Sequence, residues 1–418
     1  MSSTERPAAV RPRLITVEQA RAAVLRIAGT LSPRPVPLRE AAGLRLEEPV
    51  LAPIALPRFD NSAMDGYAVR ARDAAAGARL RVTGTSVAGR AAGVAVGPGE
   101  AVAITTGAPI PPGADAVVRH EEARREGEDV VVLEAATAGR HVRIRGEDVR
   151  RGETVIERSV VLGPTQLAAA AALGLTEVVV QPRPRVAVLP TGDELRLPGS
   201  DLSDGQIYEA LSIPLSILVE EIGAIALPRP IAPDEPQALM VALRDAAAEA
   251  DAIVTVGGAS LGERDVLRRI SGQRSTATAD LQLEAFEVAL RPARPFVCGR
   301  AFGATLFGLP GNPASALAAF EELVRPALQA MMGLPPLVRP SVRVTLAEPV
   351  RQRPGRLNLL RVLVRREGGR LVACLAGDQG SGMIHTLARM NAWAVVPAEV
   401  EQLPAGAEVE VRLLGEVP

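Results

Sequence analysis

The chain carries 47 basic residues, and reading the letters shows that every one is an arginine. The absence of lysine removes Schiff-base chemistry and the phosphate-gripping lysine of a P-loop. Cys298 and Cys374 stand far apart, and His120, His141 and His385 are scattered. No CxxC or His-rich spacing exists, which argues against a structural zinc site or iron–sulfur cluster, and no disulfide framework is implied. Carboxylates, guanidiniums, hydroxyls and backbone amides remain. A metal partner would be a hard, oxygen-ligated cation, with magnesium the best match.

These groups gather in a few segments. Asp60-Asn61-Ser62-Ala63-Met64-Asp65-Gly66-Tyr67 joins turn-forming pairs to two carboxylates, with Phe59 and Tyr67 as flanking aromatics. An exposed turn explains it as readily as a shaped site. Thr105-Thr106-Gly107 offers hydroxyls and amides to an oxyanion, or simply ends a strand. Arg143–Asp148 interleaves arginines with acids, either as an ion-pair network or as a shared anion and metal site. Thr191-Gly192-Asp193-Glu194 follows an apolar run, where a hydroxyl or metal ligand is expected and where acids also suit a helix start. Gly257-Gly258-Ala259-Ser260, continuing to Asp265, is a glycine-rich turn that lets backbone approach a phosphate. Arg291 and Arg294 are two fixed charges stiffened by Pro292 and Pro295, suited to a tetrahedral oxyanion or to solvent. Pro310-Gly311-Asn312-Pro313 reads as a helix cap and first turn. Arg356 and Ser381 lie in turn-like segments near the end of the chain.

Elements that must hold these groups follow from periodicity. Thr16 to Leu31 reads as a helix opened by a Thr16/Gln19 capping box. Between Pro53 and Gly146, short apolar runs at Leu80–Val82, Ala101–Ile104, Ala116–Val118 and Val130–Leu133 alternate with Gly/Pro turns, a mostly β module. A helix over Thr165–Leu173 follows; packing it beside the first helix would make the β module an insertion. From Arg185, strands at Arg185–Leu189, Ala226–Pro230, Ala252–Val256, Pro295–Cys298 and Ala304–Gly308 alternate with helices at Leu211–Glu221, Pro236–Glu249 and Pro313–Met331. That pattern predicts a parallel sheet covered on both faces, with ligands at the carboxyl ends of its strands. One rim would then carry Thr191–Glu194, Pro233–Asp234, Gly257–Asp265 and Gly311–Asn312. After Pro335-Pro336 come strands at Val342–Leu346, Arg361–Arg365, Leu371–Leu375 and Val409–Leu413, a small β domain.

Size and charge set the outer limits. At 418 residues, with 47% hydrophobic and 23% charged residues, the chain has material for about three domains. The net charge of −1 gives no field for nucleic acid or anionic lipid. The N-terminal segment lacks the apolar core of a signal peptide, and the longest apolar run, Leu167 to Leu175, falls short of a membrane span. The expectation is a soluble cytoplasmic protein without nucleic-acid or membrane partners.

Taken together and in order, Asp60–Val69, Arg145–Asp148, Thr191–Leu195, Gly257–Asp265 and Gly308–Ala316 resemble the molybdopterin molybdenumtransferase family, which includes bacterial MoeA and the gephyrin E domain. The resemblance spans essentially the whole chain. It implies a multidomain α/β plus β fold: a helical linker domain (1–50 and 147–182), an inserted β domain (51–146), a doubly wound adenylyltransferase-like α/β molybdopterin-binding domain (183–334) and a C-terminal β barrel (335–418). It implies a homodimer whose active site lies between the α/β rim of one subunit and the inserted domain of its partner. Its implied reaction inserts molybdate into adenylylated molybdopterin and releases AMP with help from magnesium, the last step of molybdenum cofactor synthesis. The adenylyltransferase and acceptor molybdoenzymes are further implied partners. Carried over residue by residue, Asp65, Thr106, Asp148, Glu194 and Asp234 are catalytic. Gly257, Gly258, Ser260, Arg291, Arg294, Pro310, Pro313, Arg356 and Ser381 bind substrate, and Asp265 binds the metal. Arg291 and Arg294 stand where the family usually has lysines, and Leu211 stands where it often has asparagine. A non-catalytic scaffold or pterin-binding paralogue, and the adenylyltransferase itself, are the alternative readings.

Overall fold

The computed structural model describes residues 14–90, 93–258, 267, 280–415 and 417. The chain divides into two compact units, Met1–Arg34 with Gln181–Pro418 and Pro35–Val180.

The first unit is built on a seven-stranded sheet. Its order is Leu14–Ile15, Leu281–Val288, Pro295–Ala301, Ala304–Leu309, Ala252–Val256, Arg185–Pro190 and Ile225–Pro228. The last four are mutually parallel, as the strand–helix alternation predicts. Leu281–Val288 and Pro295–Ala301 instead run as an antiparallel meander, so the sheet is mixed rather than all parallel. Alternation sends Val186, Val188, Val254 and Phe307 to one face, under helices Ser212–Glu221 and Val17–Ala28. Ala187, Leu189, Ile253 and Leu306 go to the other, under helix Pro236–Ala247. Both faces are therefore dry, which explains the nearly continuous apolar strands.

Helix Val17–Ala28 starts at the expected capping box, with Gln19 N donating to Thr16 Oγ1 at 3.2 Å and Thr16 N to Gln19 Oε1 at 3.1 Å. Its partner differs from the expected one. Its apolar stripe (Val17, Ala20, Val24, Ala28) enters the α/β core, whereas helix Pro164–Ala172 belongs to the other unit, where it buries Ala170. An apolar stripe states that a helix is covered on one side, and is silent about by what.

The helix expected over Pro313–Met331 is interrupted by a wide π turn at Phe320–Val324. Two successive acids in that turn, Glu321 and Glu322, are both buried. Glu322 Oε2 meets Arg21 at 2.9 Å, and its other oxygen abuts Arg412 on the last strand, Glu408–Leu413. Glu321 Oε2 accepts from Arg325 at 2.7 Å and from Arg339 at 3.0 Å, and Arg339 also reaches Glu221 at 2.6 Å. Burial, and then the charge of Arg21, pull Arg412 down to about 10, which leaves it protonated at neutral pH. The C-terminal strands close on themselves: from Leu357–Glu367 the order runs through Arg370–Leu375, Ser341–Leu346 and Glu408–Leu413 to Ala392–Val396, which pairs back to Leu357–Glu367. This is a small barrel around Val362, Val364 and Val411.

The second unit holds a six-stranded sheet in the order Ala116–Arg119, Gly66–Val69, Glu100–Ile104, Arg79–Ser86, Asp129–Val132 and Ala123–Glu126. Tyr67 and Val69 pack on one side of it, Ala68 and Val102 on the other. A separate core, around Leu46, Leu162 and Leu173, ties the residues before the sheet to those after it.

Glu322→Gln strands two guanidiniums against a neutral amide. It should lower the stability of the first unit by about 3–5 kcal/mol, the cost of breaking a buried pair, read as a lower midpoint in urea; an unchanged midpoint would show that the network adds nothing.

Candidate functional site

The carboxyl ends of the parallel strands are laced together by backbone. Thr191 N donates to Val256 O at 2.8 Å, Gly192 N to Ala232 O at 3.1 Å, and Gly257 N to Leu309 O at 3.1 Å. These bonds bring Thr191–Glu194, Ala232–Asp234, Gly257–Gly258 and Pro310–Gly311 onto one rim. Gly257 adopts φ +90°, and a Cβ there would stand 2.5 Å from Thr191 O. Only glycine fits this approach. Its N–H is already engaged by Leu309, so its contribution is closeness of backbone and not donation. Asp193, Glu194 and Asp234 are exposed on this rim, and Asp234 N donates to Asp193 Oδ1 at 3.2 Å. Pro310 is buried beneath it, and Pro313 opens the next helix behind an Asn312 cap position.

The meander brings the arginines to the same end of the sheet. Glu287 lies opposite Pro295, and Val297 opposite Gly308, so residues 289–294 sit at the rim two strands from Leu309. Leu290–Arg291 pairs in parallel with Leu357–Asn358 of the barrel, which places Arg356 beside this segment. Arg291 is exposed and, among the described residues, has no ion-pair partner; Arg294 is held by Glu287 at 3.0 and 2.5 Å. Ser381 is exposed in the loop before helix Ile384–Arg389, which packs on helix Pro313–Ala319. Behind that loop the buried Arg361 donates to Asp378 O and Gly380 O, both at 2.9 Å. Ser260 and Asp265 lie outside the described residues.

Asp65, Thr106 and Asp148 belong to the second unit. Asp65 Oδ1 accepts from Thr106 N at 2.7 Å, so two of the expected catalytic residues are in direct contact. The Asp60 loop knits three distant stretches: Asn61–Ser62 pairs with Val142–Arg143, Ser62 N donates to Ala108 O at 3.0 Å, and Asp60 Oδ1 accepts from Arg145 N at 2.8 Å. Asp148 N donates to Leu56 O at 3.1 Å, and its side chain is exposed. Gly66 is required here too, because a Cβ would fall 2.0 Å from Val118 O.

Several positioning residues escape a sequence reading. Glu122, 2% exposed, takes Arg119 Nε at 2.8 Å and Arg140 at 2.6 Å. Arg119 lies opposite Gly66, and His120 N donates to Asp65 O at 3.4 Å, so this cluster braces the Asp65 turn. Burial alone would raise the Glu122 carboxyl; hydrogen bonds from Arg119 and the charges of Arg140 and Arg119 outweigh it and hold it below the ordinary range. Glu209 Oε1 accepts from Leu211 N at 2.7 Å and Ser212 N at 2.9 Å, capping helix Ser212–Glu221. Leu211 is 3% exposed and belongs to the core. Burial pushes the Cys298 thiol up to about 12, so it is inert as a thiolate.

Three family models match the chain in series: the MoeA N-terminal region (domain I and II) over residues 15–174, a probable molybdopterin binding domain over 187–330, and the MoeA C-terminal region (domain IV) over 343–414. A relative from Mycobacterium tuberculosis named molybdopterin molybdenumtransferase 2 is 43% identical over 72% of this chain and 76% of its own. A molybdopterin molybdenumtransferase from Haemophilus influenzae is 35% identical over 77% of this chain and 78% of its own. A crystal structure of a molybdopterin biosynthesis MoeA protein from Pyrococcus horikoshii superimposes with a TM-score of 0.78 at 30% identity, covering 97% of this chain and all of that one.

Two outcomes check this geometry. Gly257→Ala should cost about 1–3 kcal/mol through strain at a positive φ, measured by chemical denaturation. Glu122→Gln weakens the charge-assisted hydrogen bonds from Arg119 and Arg140 and should lower the melting temperature at neutral pH, a loss of about 2 kcal/mol. A carboxyl depressed on folding stabilises above its unfolded pKa of about 4.3 and loses that contribution as pH falls through the lower folded value. The gap between Glu122→Gln and the parent protein should therefore close on acidification; a constant gap would contradict the ion-pair account.

Proposed function

The chain belongs to the molybdopterin molybdenumtransferase family, that of MoeA, and from this premise we propose how its residues serve the reaction. It is an enzyme of molybdenum cofactor biosynthesis that inserts molybdenum into molybdopterin. In the reading we favour, molybdate enters the dithiolene of adenylylated molybdopterin and AMP leaves. The observation that carries it is the rim of the first unit, where closely approaching backbone at Thr191, Gly257 and Gly311 shares one sheet end with Arg291 and Arg294. A phosphate-linked pterin needs the former and a tetrahedral dianion the latter.

Arg291 is the first molybdate contact in this scheme, because among the described residues no carboxylate pairs with it. Arg294 must be shared with Glu287, and Arg356 and Ser381 approach from the barrel side. Arginine in place of lysine keeps the charge and adds a planar, bidentate fork. Asp65 and Thr106 act together: the Thr106 amide fixes one Asp65 oxygen, which orients the other and the Thr106 hydroxyl toward substrate. Asp148, Glu194 and Asp234 supply further carboxylates that orient water or leaving group. Among the described residues no group of three or more acids is placed to hold a metal ion, so magnesium would fall to Asp265, with substrate phosphates and water as its other ligands. When bound, it offsets diphosphate charge. Asp265 and Ser260 complete the set by family resemblance. A homodimer would bring one subunit's Asp65 turn to its partner's rim. Leu211 is a core residue, so the pterin site works without the polar side chain common there in relatives. The adenylyltransferase reading loses ground to relatives named as molybdenumtransferases and to the matched N- and C-terminal regions.

Purified protein given adenylylated molybdopterin, magnesium and molybdate should release AMP in a molybdate-dependent manner. Asp65→Asn should cut that rate by about 100-fold, the span of a general acid–base contribution. Negligible release by both proteins would instead identify a scaffold, and adenylylation of free molybdopterin by ATP would identify the adenylyltransferase.

A further inference from the structure

Of the two rim arginines, Arg294 is already occupied. Its Nε and Nη2 both donate to one oxygen of Glu287, at 3.0 and 2.5 Å, and the Glu287 side chain is only 14% exposed. We propose that Glu287 is an internal competitor for the oxyanion, an affinity-setting residue that holds molybdate binding below what two open guanidiniums would give; this role rests on the reading of Arg291 and Arg294 as the molybdate contacts.

The form of the clasp decides what Arg294 has left to offer. A guanidinium can grip a tetrahedral oxyanion along its Nε–Nη2 edge or end-on through Nη1 and Nη2. Glu287 fills the first edge. Among the described residues nothing bonds Nη1, and the Arg294 side chain is 40% exposed, so the end-on edge stays open. An arriving dianion therefore meets one free cation, Arg291, and a second whose charge is already offset.

The loop that carries both arginines is held without this carboxylate. Val288 N donates to Arg294 O at 2.7 Å, Ala289 N to Ile15 O at 2.8 Å, and Leu357 N to Ala289 O at 2.9 Å. Ala293, buried between the two arginines, turns the chain at φ +90°. What the clasp orders is one side chain, the guanidinium of Arg294. Against that small entropic gain stands charge. A dianion on the open edge lies about a guanidinium's width from Glu287, and the carboxylate is partly shielded from water. Repulsion between the two outweighs the ordering of a single side chain. The clasp thus weakens the hold on molybdate instead of preparing it. A loosely held anion is handed to the dithiolene at less cost, and Arg294 stays neutralised when the site holds no anion.

Calorimetric titration of the full chain with molybdate alone tests it. E287Q keeps the shape of the side chain and removes its charge. It should bind molybdate more tightly than the parent protein by about fivefold or more, and the molybdate KM of AMP release should fall by a similar factor. Damage to the fold weakens binding, so the sign of the change separates competition from a structural role. E287A takes its place if E287Q melts early. In an R294Q background the same replacement should change affinity by less than about twofold, because the contested guanidinium is gone. Unchanged or weaker binding by E287Q, or the full gain in E287Q/R294Q, overturns the competitor alone. Absence of saturable molybdate binding in both the parent protein and E287Q, or binding that R291A and R294Q leave intact, overturns the reading of the rim and the competitor with it, so the two failures are distinguishable.

Discussion

Two neighbouring carboxylates, Glu321 and Glu322, decide where the barrel stands on the α/β core. A regular helix would send successive side chains about 100° apart, and burying both against cations would be difficult. The π turn at Phe320–Val324 relaxes that constraint and lets both acids be buried. Arg21 belongs to the first helix, Arg339 to the linker and Arg412 to the final strand, so the pair ties three separate stretches to one turn. Such a network contributes little net stability over an apolar packing but penalises every alternative docking heavily. Arg356 and Ser381 reach the rim only if the barrel is held in that one register.

Lack of lysine sharpens the same logic elsewhere. Every cation is a planar fork that retains its charge when buried, so each must be either matched by an acid or left open to a ligand. The protein uses both states side by side. Arg294 is matched by Glu287 while Arg291, three residues earlier, is open. Arg119 and Arg140 are matched by Glu122, and the result is a braced Asp65 turn rather than a binding surface.

Much of this was readable in the letters because the local rules agree with the fold. The capping box at Thr16, the strand Ala252–Val256 running into two glycines, and the β module's short runs all stand as periodicity places them. The strand Leu281–Val288 did not emerge, although Leu281-Gln282-Leu283-Glu284 alternates; a search for continuous apolar runs, apt for parallel strands, passes over an edge meander. The partner of helix Val17–Ala28 and the clasp between Glu287 and Arg294 depend on register and tertiary packing, which no single segment encodes. Family resemblance supplied roles for Asp65 and Thr106, yet their contact through a backbone amide appears only once residues 65 and 106 are brought together across the sheet. Glu122, Glu209 and Arg361 escaped because a buried charge looks, in sequence, like any surface one.

The donor chemistry also divides labour between protein and substrate. Molybdenum bound by a dithiolene takes soft sulfur ligands, whereas its entry form, molybdate, is a hard oxyanion. The rim of this protein presents hard partners: guanidiniums and carboxylates. Its two thiols are kept out of the contest, Cys298 by burial that holds it protonated and Cys374 by a place on the barrel strand Arg370–Leu375. A protein thiolate beside the metal would compete with the pterin for molybdenum and trap the product. A site of hard donors holds molybdate while it is an anion and has little hold on the metal once sulfur has taken it, so the same chemistry that gathers the reactants also favours release of the cofactor.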